Sequence, residues 1–224
     1  MTTASYLAVA DSARDPDADV WFAEPAGFVA VPMGALLSAP DVRDGKVRRA
    51  LAPLLDAAPD EMARQVFLAH LAQGQQLLGA LGEVGTVHCS IGLHRDDVVG
   101  GGSSLLSLFT VSWKQTAVAS RGATAARAVA TAEGHTRIEY VELPCGPAAL
   151  SETTLTPSAC SGLPRVPLLQ IHAYVPHPDC RRLVVLTMST TATAYREQYR
   201  LILRQMAELV SFDDPLERRQ GTTK

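Results

Sequence analysis

The side chains best suited to chemistry fall on two short apolar stretches. His88 and Ser90 alternate within 84–93, and Gln170, His172 and Tyr174 alternate within 168–175. At the two-residue repeat of a strand, each set projects from one face. If both strands turn that face toward one groove, five hydrogen-bonding side chains converge on a sheet, as in a small-molecule or partner site. The same alternation sends Val87, Cys89, Ile91 and Leu93 to the side opposite Thr86, His88 and Ser90. Cys89 therefore reads as a core residue rather than a nucleophile activated by its neighbour His88.

Other combinations are weaker. His172, His177 and Cys180 are ligand types suited to zinc, but their spacing is neither that of a helical histidine pair nor that of a zinc ribbon, so no metal centre is expected. Gly100–Gly102 follow His94-Arg95-Asp96-Asp97 but lack the lysine and hydroxyl residue of a phosphate-binding loop, and a strand rather than a helix comes next. A hairpin turn is the expectation there. Arg196, Arg200 and Arg204 recur every four residues, with Glu197 and Glu208 within pairing reach. They form either a solvated helix face or a docking surface for an acidic protein. No catalytic or cofactor signature emerges, and no cofactor is expected.

The elements that must position these groups follow from periodicity and punctuation. Strands are predicted at 84–93, 105–113, 135–143, 168–175 and 182–189, with one or two short ones around Val20–Phe22 and Phe28–Val31. Helices are predicted over 59–82, 123–132 and 193–210, with a short helix or turns within 41–58. The last helix carries Tyr195, Tyr199, Ile202, Leu203, Met206 and Leu209 on one stripe. Residues 144–167, with five prolines, read as a long loop. Residues 1–19 read as a flexible lead-in, 20–212 as one domain and 213–224 as a polar tail. Short connections between consecutive strands imply antiparallel pairing. The stretch 105–113 reads as apolar on both faces, which calls for cover on each side. The expected fold is therefore α+β: a central antiparallel sheet with helices packed on its faces, an α/β/α sandwich.

Composition narrows the function classes. Among 224 residues, 47% are hydrophobic and the net charge is −3. That excludes a disordered chain and gives no electrostatic drive toward nucleic acid. Only 5% are aromatic, which argues against base-stacking platforms. Of the 20 basic residues, lysine supplies only Lys46, Lys114 and Lys224, and the rest are arginine. Coding bias accounts for that excess unless arginines cluster to bind anions. No stretch has the length and apolarity for membrane insertion, and the N-terminus lacks the basic start of a signal peptide. A cytoplasmic location is expected. Cys145 and Cys160 could pair across their loop in an oxidising compartment, but free thiols fit the absence of an export signal.

Three segments carry a resemblance. Pro25-Ala-Gly27-Phe28-Val-Ala-Val31-Pro32 resembles the opening of the PsbP-like fold. Arg182-Leu-Val-Val-Leu-Thr-Met-Ser189 resembles its penultimate strand, and Tyr195 to Val210 followed by Phe212 resembles its final helix and ending. That fold is an α/β/α sandwich shared by a photosystem extrinsic subunit, a Ran-binding nuclear-transport factor and many bacterial proteins. The resemblance implies a non-enzymatic binding or assembly factor with a protein partner. The alternative is a small-molecule-binding protein or enzyme using the polar sheet face around His88 and His172.

Overall fold

The computed structural model describes residues 20–34, 81–95, 104–156 and 166–213, with scattered positions between 49 and 65. Seven strands form one sheet: β1 (Phe28–Ala30), β2 (Thr86–Arg95), β3 (Ser104–Gln115), β4 (Thr136–Leu143), β5 (Gly146–Leu155), β6 (Leu168–Pro176) and β7 (Arg182–Thr190). Their order is β1-β2-β3-β7-β6-β5-β4, and every neighbouring pair is antiparallel. Helix α1 (Arg121–Ala130) follows β3, and α2 (Arg196–Glu208) follows β7 after a 3₁₀ turn at Thr193–Tyr195.

One sheet face is sealed. Phe109 and Val111 of β3, Leu186 and Met188 of β7, and Ile171 and Ala173 of β6 are buried together there. Tyr199, Leu203, Met206 and Ala207 of α2 lie on them at helical spacing. The buried Ser107 hydroxyl donates to the Tyr199 hydroxyl at 2.7 Å, tying α2 to β3. Val20, Phe22 and Ala23 complete this core, and Trp21 bridges to Ser211 just beyond α2.

The arginine row of α2 is not a free surface. Glu152 of β5 is 1% exposed and meets Arg196 at 3.1 Å, Arg200 at 3.9 Å and Arg137 at 3.8 Å. Glu139 of β4 takes Arg200 at 3.0 Å and Arg204 at 2.7 Å. Arg137 also pairs with Glu197, and Arg204 with Glu208 at 3.5 Å. Burying a carboxylate is costly unless opposite charge compensates it, and three guanidiniums converge on Glu152. The guanidiniums are thus directed at the protein's own strands.

The other face corrects the expected architecture. The α/β/α sandwich required cover across both faces, but the described residues form mainly an antiparallel sheet. On this face the short α1 packs Ala125, Ala128 and Val129 on Ala149, Tyr174, Leu183 and Val185, at one end of the sheet. The reason lies in β3. Its residues on this face run Leu106, Leu108, Thr110, Ser112, Lys114, so the strand is not apolar on both sides. Leu106 is 56% exposed.

One more expectation changes. The loop expected over 144–167 contains β5, whose residues Ala148 to Thr153 are all buried. Of the five prolines, Pro144 precedes the strand, Pro147 is its second residue and the other three follow it in sequence, so none interrupts the run from Ala148 to Leu155. Of the helix expected over 59–82, positions 61–62, 64–65 and 81–83 are helical and the middle lies outside the described residues. The glycine run at 100–102, Cys160, the lead-in and residues beyond 213 lie outside them too.

Glu152→Ala is expected to cost roughly 3 kcal/mol by urea unfolding, because it removes the buried carboxylate that Arg196, Arg137 and the largely covered Arg200 share. Arg204→Ala, on the exposed rim, should cost less than about 1 kcal/mol. Equal costs would mean that the carboxylate is not the anchor.

Candidate functional site

The open face holds a cavity of about 800 Å³ bounded by β3, β7, β6, β5, the start of β2, the end of α1 and the segment of Leu81 and Val84. Strand register orders its floor into rows. At one end lie Leu106 and the facing pair Leu155 and Leu168. The next row is Leu108, Ser189, Gln170 and Thr153. Then come Thr110, Thr187, His172 and Ser151. Ser112, Val185 and Tyr174 follow, where α1 begins to cover the sheet. The floor therefore grades from aliphatic to hydrogen-bonding along the strands.

His172 is the centre of the polar part. Its Nδ1 shares a hydrogen bond with the Thr187 hydroxyl at 3.1 Å. Its Nε2 is buried with no hydrogen-bond partner among the described residues. His135, just before β4, stacks its ring on His172 with centroids 5.0 Å apart. Its own Nδ1 lies 2.6 Å from the buried Ser151 hydroxyl. The Tyr174 ring is tilted against both, with centroids 5.9 Å from His172 and 6.2 Å from His135.

Electrostatics keep both imidazoles neutral. Burial pushes His172 down to about 4, and the nearby His135 and Lys114 add to that. His135 is lowered by burial and by Lys114. Burial raises the Tyr174 phenol, against the pull of its bond to Ser151. A neutral His172 can offer Nε2 as donor or acceptor, depending on which tautomer its bond to Thr187 selects.

The five residues predicted to converge are split. Gln170, His172 and Tyr174 share the open face, whereas His88 and Ser90 lie on the sealed one, level with Val111 and Phe109. A β-bulge at Val87 causes this. Thr86 pairs with Ser112 and His88 with Val111, so β2 spends two residues against one and the alternation slips. Val87 is pushed outward, and Thr86 stays on the open face, bonded to Ser112 at 2.9 Å. His88 instead holds Glu24 at 2.7 Å and sits edge-on against Phe22. The Ser90 hydroxyl is buried without a partner among the described residues.

His172, His177 and Cys180 are not brought together either. His177 lies edge-on against Trp113 and Phe212 and meets Asp179 at 3.0 Å. Among the described residues no group of three such side chains could hold a metal ion. Burial pushes the Cys89 thiol up to about 12, which makes it a poor nucleophile. Cys89, Cys145 and Cys180 are free thiols.

His135, Ser151, Thr187 and Lys114 belong to the site but were missed as site residues in the sequence. His135 precedes its strand, and Ser151 was placed in a loop. Lys114 carried one signal: it is the only lysine among the described residues of an arginine-rich chain.

The site thus defines a class, an antiparallel-sheet protein with a graded pocket on one open face. Comparison with family models, curated proteins and solved structures finds no match. No described helix is long and apolar enough to cross a membrane.

The His172 shift fixes a sign for acid stability. The unfolded chain binds a proton near the ordinary histidine value of about 6.5, while the folded chain resists it until about 4. Unfolding therefore takes up a proton in that window, and stability falls as pH drops through it. The contribution approaches roughly 3 kcal/mol at the acid end. His172→Asn should flatten this limb in urea titrations between pH 4 and 6.5. An unchanged slope would mean that His172 titrates normally.

Proposed function

We propose that the protein binds a small amphipathic molecule in the cavity on its open sheet face. One observation carries this reading: an aliphatic end and a hydrogen-bonding end share one floor, and the polar end holds a buried imidazole nitrogen without a partner among the described residues. An unmet buried polar atom costs about 1–3 kcal/mol, and a bound ligand that meets it recovers that cost. Pockets that take small molecules are mostly apolar with a few placed polar groups, as here.

The reading as a protein-binding accessory factor has less support. The surface that favoured it was the row Arg196, Arg200 and Arg204, and those side chains are engaged with Glu139, Glu152 and Glu208.

The test is thermal unfolding of the full chain against amphipathic alcohols, amides, acids and heterocycles. A ligand at a hundred times its Kd should stabilise by about 2.7 kcal/mol and raise Tm accordingly. His172→Leu should weaken that ligand roughly tenfold, about 1.4 kcal/mol. Arg204→Ala should leave its affinity alone. No shift with any class at millimolar concentration would overturn the reading.

A further inference from the structure

Building on this binding role, we infer that the ligand is an organic carboxylate, its anionic head held among Lys114, His135 and His172 and its apolar body laid toward Leu155 and Leu168. The geometry supplies the argument. Lys114 lines the same cavity as both imidazoles and has no ion-pair partner among the described residues. The arginines of α2, by contrast, are paired with the protein's own carboxylates.

The groups facing the head are one-sided in charge. Lys114 comes from β3, His135 from the entry to β4, and His172 and Tyr174 from β6. β5 and β7 contribute the neutral Ser151 and Thr187. The only acidic residue lining the cavity among those described is Glu133, exposed at its rim. Arg127 of α1 lines a smaller adjoining hollow that also contains Lys114. Three basic groups that disfavour one another's charge form a site that a single anion relieves. Lys114 supplies fixed charge, and an imidazole gains a proton when the carboxylate arrives.

The apolar end matches a body of modest length. From His172 to Leu168 is four residues of β6, about 13 Å at ~3.3 Å per residue. A medium-chain acid spans most of that distance.

Calorimetry of the full chain at pH 6 with sodium octanoate and with 1-octanol tests the assignment. Octanoate should bind at least tenfold tighter than the alcohol. Its heat should vary with the buffer's ionisation enthalpy in the sense of proton uptake. Lys114→Gln should weaken octanoate about tenfold and leave 1-octanol unchanged. Equal binding of acid and alcohol, or octanoate binding indifferent to Lys114, would overturn the carboxylate assignment and leave the binding role standing. If neither probe binds and the wider thermal screen is also silent, both fall.

Discussion

The structure depends on how α2 is fixed to one face of the sheet. Two interactions act together there. An apolar seam of Tyr199, Leu203, Met206 and Ala207 lies over β3, β7 and β6. Beside it, Glu152 is buried under Arg196, Arg200 and Arg137. The seam is non-directional and supplies most of the free energy. The charge cluster is directional. It sets where α2 sits along β4 and β5, because a displaced helix would leave a buried carboxylate unpaired. The bulge in β4 contributes to this. Arg137 adopts a left-handed backbone, φ 50°, and its carbonyl accepts from Arg200 while its guanidinium reaches Glu197 and Glu152.

Sealing one face frees the other. With α2 and residues 20–23 filling one side, β3, β6 and β7 can carry polar residues at alternate positions without weakening the core. A second clamp holds the far end of the open face. Arg121, at the start of α1, donates to the carbonyls of Pro176 and Cys145, joining the β6–β7 and β4–β5 turns. Its guanidinium also fills the space beside Gly146, whose φ of 120° suits only glycine. Thus α1 is held at one end of the sheet, and the hydroxyl, amide and imidazole groups lie in the remaining span. Rigid strands rather than loops carry those groups, which favours a preformed site.

Several strands and the last helix were legible because their signals are local. Alternation in 168–175 and 182–189 matches β6 and β7 to within a residue, and the stripe of α2 is regular. What was not legible depends on partners distant in sequence. Periodicity alone places His88 beside Thr86, but one extra residue at Val87 reverses it. A hint was present in Gly85, which has φ 81° and whose added Cβ would meet the Trp113 carbonyl at 2.5 Å. A glycine at a strand start often marks such an irregularity. The arginine row was legible as a row, yet its acidic partners on β4 and β5 lie 44 to 65 residues earlier. β5 was hidden because proline count outweighed the proline-free run from Ala148 to Thr156.

The two arginine roles and Lys114 then fit one division of labour. Arginine stays charged in almost any surroundings and offers a planar fork, so it suits permanent pairs with Glu139 and Glu152. A histidine or lysine is different, because its charge can be moved by what lies beside it. The open face carries the adjustable kind: His172 and His135, both depressed by burial and by Lys114. A site built from arginine would hold its charge whether or not a ligand was present. In the proposed site the two depressed imidazoles are the adjustable part: Lys114 carries its fixed charge throughout, and an imidazole adds a second positive charge as an anion enters. Under that proposal the fixed charge sits on the exposed Lys114, and the buried imidazole carries charge only while an acid is bound.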